Sequence, residues 1–195
     1  ILVRKLSDIG FRNFYLSVNY LKEQIIDYFG DGSSMGISIN YLIEKKSLGT
    51  AGSLSLLPEN INSQLIVMNA DVITNFNAIH LLNFHKKYKA DATLSVHSSD
   101  FEVPYGVVKA KGIDLVEFQE KPVYKHIINA GIYVINPAII KLLKKNQKAD
   151  MPELIMKASK NNCKVIICPI HEYWIDIGMI DKLNQAEEDL SDRNL

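Results

Sequence analysis

Segments patterned for helix and for strand alternate along the first 97 residues of this 195-residue chain, and no other feature limits its fold as much. Apolar residues at 1, 2, 3, 6 and 9 form a helix-like stripe that Gly10 closes as a C-cap. Residues 14–18 read as a strand, and 21–29 return to helical spacing until Gly30-Asp31-Gly32 stops them. Residues 37–43 are a strand, and 51–57 a short helix ended before Pro58. The apolar run 64–68 has the composition of a parallel strand buried on both faces. An amphipathic helix over 77–89, capped by Asn77, leads to a strand at 92–97. Such a rhythm winds a parallel sheet with helices on both faces. Beyond residue 97 it changes. Residues 105–110 and 113–119 form a hairpin around Lys111-Gly112, and 127–135 is a further strand. Helices at 137–145 and 152–160, a strand at 164–170 and a helix at 179–190 complete the chain. No repeat, low-complexity stretch or linker divides it, so residues 1–195 read as one mixed α/β domain.

Charge and cysteine usage narrow the partners. Twenty-two basic residues balance 22 acidic ones, so nothing in the overall charge attracts nucleic acid or an anionic membrane, and any phosphate must be held locally. No apolar run is long enough to span a bilayer and no signal-peptide pattern precedes the first strand. Cys163 and Cys168 flank Val165-Ile166-Ile167 at an odd offset, which puts them on opposite faces of a strand and disfavours a disulfide. His171 alone cannot complete a four-ligand metal set with them. Reduced thiols in a cytoplasmic protein are the expectation.

Five short motifs carry candidate chemistry. Leu48-Gly49-Thr50-Ala51-Gly52 joins a strand to a helix, where small residues admit a ligand close to the backbone and the helix start favours an acceptor group; taken alone, a tight turn with a capping threonine is the simpler reading. Asn69-Ala70-Asp71 follows a buried strand, so Asp71 stands where a wound sheet holds a cation or a ribose hydroxyl, or else it is a turn aspartate. In Pro104-Tyr105-Gly106-Val107-Val108, Gly106 marks either a close ligand approach or turn chemistry. Glu120-Lys121-Pro122 sets a carboxylate and an ammonium at a strand end, seven residues before Asn129-Ala130-Gly131. Asp176 lies between apolar neighbours in Tyr173-Trp174-Ile175-Asp176-Ile177-Gly178; a partly buried charge there needs a partner, which a cation shared with Asp71 supplies, and capping of the last helix is the other reading.

In this order, the motifs resemble those of the sugar-phosphate nucleotidylyltransferase family, also called nucleoside-diphosphate-sugar pyrophosphorylases, over residues 1 to about 190. Residues 103–108, 151–154 and 169–174 carry a finer likeness to guanylyltransferases of bacterial surface-sugar pathways, including members linked to a pair of CBS domains. The resemblance implies a Rossmann-like wound mixed sheet and transfer of a nucleoside monophosphate from a nucleoside triphosphate to a sugar 1-phosphate, with release of pyrophosphate. It implies that Gly49 and Thr50 lie beside base and ribose, and that Asp71 and Asp176 hold Mg²⁺ against the phosphates. By the same likeness Gly106, Glu120 and Asn129 bind sugar hydroxyls, Lys121 binds the sugar phosphate, and a homo-oligomer is compatible. Alignment of two anions and neutralisation of their charge suit a metal and basic side chains.

One family element has no counterpart. The family opens with a strand and a glycine-rich, arginine-bearing loop that wraps the triphosphate. The glycine-rich stretch 30–36 here follows a helix and carries Asp31 instead of a basic residue. The expectation is therefore a nucleotidyltransferase domain lacking its first strand and triphosphate loop, an N-terminally truncated piece that is inactive alone. A non-catalytic sugar-nucleotide-binding or regulatory module is the rival. A glycosyltransferase ranks lower, because Ala70 and Val72 flank Asp71 where a paired aspartate is expected.

Overall fold

A computed structural model describes residues 2–178 and 180–193. Helix α1 (Leu2–Asp8) ends at Gly10, whose positive φ of 105° and N–H bond to Ser7 turn the chain into β1 (Asn13–Val18). Helix α2 (Lys22–Phe29) and β2 (Ser38–Ile43) follow, and β1 and β2 pair in parallel. The glycine-rich stretch between them is a turn in which the Asp31 carboxylate accepts the Ser33 N–H at 2.9 Å; the Ser33 side chain first, and this N–H second, hold its pKa below the usual value. Helix α3 (Gly49–Gly52) runs on into a 3-10 turn (Ser53–Leu56), two residues earlier than the sequence suggests.

The main sheet has four strands in the order β3 (Leu65–Met68), β8 (Val123–Ile135), β5 (Ala92–Glu102), β9 (Val165–Pro169). It is mixed: β5 and β9 are parallel, while β8 runs antiparallel to both β3 and β5. The parallel character expected of residues 64–68 is therefore wrong. Leu65 and Val67 pack into one core and Ile66 and Met68 into the other, so the unbroken apolar run records burial on two faces and is silent on the direction of the neighbour.

Helices cover both faces, as the Rossmann-like reading requires. One core joins the sheet to α3, α5 (Pro137–Ile140) and α6 (Met151–Lys160); the other joins it to α4 (Ala78–Lys87) and to Leu6 and Phe11. Strand β8 serves both by alternation, with Ala130, Ile132 and Val134 on one side and Tyr133 and Ile135 on the other. Asn77 caps α4 by accepting the His80 N–H at 2.8 Å. Buried His85 on α4 meets Thr93 of β5 at 2.8 Å and Asn136 at 3.2 Å, so its polar ring is satisfied inside the core. Both cysteines are free thiols, and burial pushes the Cys168 thiol up.

Two small elements escaped the sequence reading. Strands β4 (Val72–Thr74) and β10 (Trp174–Asp176) pair antiparallel, ahead of α7 (Ile180–Arg193). Three residues are too few for a periodic signal. The outer parts of β5 and β8 continue their pairing well past the main sheet and lead into the hairpin of β6 (Val107–Lys111) and β7 (Asp114–Gln119), which together form a projecting arm. Gly112 takes the left-handed turn position of that hairpin, φ 64°. Strand β3 has β8 as its one strand partner among the described residues.

Candidate active site

Asp71 and Asp176 are brought together by the β4–β10 pair. Asp176 lies opposite Val72, and the Ile177 N–H donates to the Asp71 carbonyl at 2.8 Å. The Asp176 carboxylate accepts the Gly178 N–H at 2.8 Å. A Cβ placed on Gly178 would stand 3.0 Å from Asp176 Oδ1 and 3.8 Å from Asp71 Oδ2, so both carboxylates border the space that glycine leaves open. The sequence reading of Asp176 as partly buried is corrected here, because it is exposed: strand alternation sends Ile175 into the core and leaves Asp176 outward. Two outward carboxylates around one gap fit a small hard cation that keeps several waters and takes further oxygens from phosphates. Among the described residues no group of three or more His, Cys, Asp and Glu side chains could cage a metal, so a cation here relies on water and substrate for its remaining ligands.

Asn129 sits on β8 beside this pair of segments. Its Oδ1 accepts the Gly131 N–H at 3.1 Å and its Nδ2 donates to the Tyr133 hydroxyl at 2.5 Å, so the carboxamide is clamped at both ends. Burial pushes the Tyr133 phenol up, against the smaller opposing effect of the Asn129 bond, and it stays protonated at neutral pH. Gly131 has φ 70°, and the Asn69 side chain packs on it so closely that a Cβ would come within 3.0 Å.

Gly49 and Thr50 meet the start of α6. A Cβ on Gly49, whose φ is 74°, would lie 2.4 Å from Asp150 Oδ1 and 2.7 Å from the Ala149 carbonyl. The Thr50 N–H donates to Asp150 at 3.0 Å, and the Thr50 hydroxyl accepts the Met151 N–H at 2.8 Å. These polar groups are answered within the chain, though Thr50 does not cap its own helix: α3 is a single turn with Leu48 at its N-cap, and the Thr50 hydroxyl serves the start of α6 instead. Glu44, one residue beyond β2, organises the same loop: its carboxylate accepts the Leu48 N–H at 2.7 Å and the Ser17 hydroxyl at 2.5 Å. The sequence reading overlooked Glu44, although the rule that singled out Asp71, a carboxylate just past a strand's carboxyl end, would also have found it.

Gly106, Glu120 and Lys121 belong to the arm. A Cβ on Gly106 would meet Phe118 at 2.6 Å and Glu120 Oε2 at 3.2 Å, so Glu120 and Gly106 are neighbours. Lys121, exposed with φ 42°, turns the chain from β7 towards β8, and the Pro122 carbonyl takes the Val103 N–H at 3.1 Å. From Val123 to Asn129 the strand is in regular register with β5, a rise of about 20 Å. The residues expected to hold a sugar phosphate are thus divided between core and arm.

Comparison with known proteins agrees with this architecture. The family model described as Nucleotidyl transferase matches residues 1–193. A mannose-1-phosphate guanyltransferase of Yarrowia lipolytica is 32% identical over 188 residues, covering 90% of this chain and 50% of that protein. A mannose-1-phosphate guanylyltransferase catalytic subunit beta of Dictyostelium discoideum is 32% identical over 183 residues, 90% of this chain and 51% of that one. The chain spans about half the length of the curated relatives it matches. Among solved structures, HddC from Yersinia pseudotuberculosis superposes with a TM-score of 0.73 at 24% identity, over 97% of this chain and 83% of that one. A Bacillus anthracis protein gives 0.76 at 20% identity, over 99% and 82%. At those identities the structures speak for the fold.

Proposed function

This chain belongs to the nucleotidyl transferase family, and from that premise we propose that it is the nucleotide-transferring domain of a sugar-1-phosphate nucleotidyltransferase. The observation that carries the reading is the convergence of Asp71 and Asp176 on the gap at Gly178. These two carboxylates would hold Mg²⁺, which when bound neutralises the phosphates of the nucleoside triphosphate. The chain's own groups bind and orient. Clamped Asn129 offers one remaining N–H and one lone pair to a sugar hydroxyl, Glu120 accepts hydroxyls beside Gly106, and Lys121 donates to the sugar phosphate. Gly49 and Thr50, braced by Asp150 and Glu44, shape the base and ribose side. A sugar phosphate oxygen attacks the α-phosphorus in line, pyrophosphate leaves, and no covalent intermediate on the protein is needed. Both substrates meet only if the arm lies over the carboxylates when they are bound.

The relatives named above support guanosine as the base and mannose 1-phosphate as the acceptor. They are eukaryotic, so a bacterial surface-sugar setting and attached CBS domains rest on the finer motif likeness alone. A subunit partner is in keeping with the Dictyostelium relative's name. No described helix is long and apolar enough to cross a membrane, and a cytoplasmic site of action is part of the proposal. The test is pyrophosphate release by the full-length protein over a matrix of nucleoside triphosphates and hexose 1-phosphates. Turnover should be greatest with GTP and mannose 1-phosphate and need Mg²⁺. Binding without release for every pair would replace the enzyme reading by a non-catalytic sugar-nucleotide-binding module.

A further inference from the structure

The register of β8 with β5 breaks at one place, while its register with β3 is continuous. Leu94 of β5 faces Tyr133 and Val96 faces Asn129, so one residue of β5 stands against the three residues Ala130, Gly131 and Ile132. A bulge of this kind re-aims backbone groups away from the ladder. Two carbonyls of this stretch are used in the same way, that of Gly131 by continuing the β3–β8 register beyond Met68 opposite Ile132, and that of Ala130 on the side where the pairing with β5 is broken. The Gly131 carbonyl accepts the Asn69 N–H at 2.9 Å, and the Ala130 carbonyl accepts the Trp174 indole N–H at 2.8 Å. Each donor stands two residues before an acid, Asn69 before Asp71 and Trp174 before Asp176.

Strands β4 and β10 have three residues each, and a pair that short holds no fixed position by itself. Their mutual bonds, Ile177 N–H to Asp71 and the Thr74 hydroxyl to Tyr173, join them to one another. The indole bond attaches β10 to the main sheet, and the His97 ring stacked on the indole at 5.4 Å and 25° fixes its plane.

We infer that the Ala130–Gly131 bulge is a double anchor that sets the separation of Asp71 and Asp176, with Trp174 as the positioning residue for the second acid. This rests on the metal-carboxylate reading above and goes beyond it, since Trp174 touches neither metal nor substrate and acts through β10.

Trp174 is the sole tryptophan in the sequence, which makes the test direct. Mn²⁺ alone is titrated into the protein, with free Mn²⁺ counted by electron paramagnetic resonance. In parallel, the single indole N–H signal is followed by ¹H–¹⁵N NMR as Mg²⁺ is added. Wild type should bind Mn²⁺, Asp71→Asn and Asp176→Asn should lose it, and the indole signal should move on metal addition. Trp174→Phe keeps a ring for His97 and removes the donor; its Mn²⁺ dissociation constant should rise about tenfold, an effect of ~1.4 kcal/mol. Ile175→Val, buried on the other face of the same strand, should lower the melting temperature and leave Mn²⁺ affinity unchanged. Unaltered affinity in Trp174→Phe together with a static indole signal overturns the inference while the metal reading stands. Binding that ignores both Asp→Asn substitutions overturns the metal reading, and the inference with it.

Discussion

The acid-bearing core and the projecting arm are built to opposite standards. Asp71, Asp176 and Asn129 stand on segments anchored to β8, where Ala130, Ile132, Val134 and Ile135 are fully buried. Gly106, Glu120 and Lys121 stand on a ribbon whose Tyr105, Val108, Ile113, Leu115, Val116 and Phe118 are exposed. In the proposed reaction charge neutralisation tolerates little error in position, and the two carboxylates proposed for it are borne by segments bonded to a strand of the packed interior. Recognition of a sugar phosphate tolerates more, and the arm, with few buried apolar contacts, has the lower local stability. The difference teaches that one proposed two-substrate site is divided between a rigid half and a compliant half.

The contrast breaks most visibly at the carboxylates. In the full-length protein, Asp71→Asn or Asp176→Asn should lower kcat by about 10²–10³, the scale of losing one electrostatic group at a reacting centre. Pyrophosphate release at saturating Mg²⁺ checks this, and near-normal rates in both would remove them from the site. Next in size is packing. Ile132→Ala empties a fully buried position and should destabilise the domain by about 2–5 kcal/mol. Ile113→Ala, at a hairpin position 102% exposed, should stay within about 0.5 kcal/mol. Urea melts of the two variants compare the regions directly, and equal losses would erase the distinction.

Lys121→Ala should raise KM for the sugar 1-phosphate about tenfold with little change in kcat, as expected for an exposed ammonium–phosphate contact. A kcat loss as large as that of the aspartate variants would place Lys121 with the rigid half. The smallest effect concerns pH. The Lys109 ammonium bonds Glu117 at 2.6 Å across the hairpin and, with a lesser contribution from Gln119, holds the Glu117 carboxyl below its ordinary value. A depressed carboxyl stabilises the fold above its unfolded pKa, and that contribution disappears as pH falls through the lower folded value. Hydrogen exchange, corrected for its intrinsic pH dependence, should show β6–β7 losing protection below the ordinary carboxylate range while β8 does not. Parallel loss in both would mean that the arm and core open together.

Much of the fold was legible because its signals are local. Helical spacing and Gly10 marked α1, Asn77 marked the start of α4, and Lys111-Gly112 marked the hairpin. Misreadings arose where the deciding neighbour is distant. Within the run 64–68, Leu65–Met68 pair antiparallel with residues far along the chain, Leu65 with Ile135 and Met68 with Ile132, and no pattern within the run records that. Strands β4 and β10 exist only as each other's partners across about a hundred residues. The candidate site shows the same division. Asp71 was chosen by its place after an apolar run and Asp176 by its place between apolar neighbours, whereas the contacts of Gly131, Gly178 and Asp150 are ones that only folding creates.

The sequence by itself determined the types of the longer elements, the two-faced apolar strands, the family motifs and the identities of the charged groups, because composition and period act over a few residues. The tertiary structure alone decided that the two aspartates border one gap, that the bulged stretch of β8 bonds the segment before each, and that Lys121 stands on the arm. Those are distances between segments far apart in the chain, set by strand register and core packing, which no local pattern encodes.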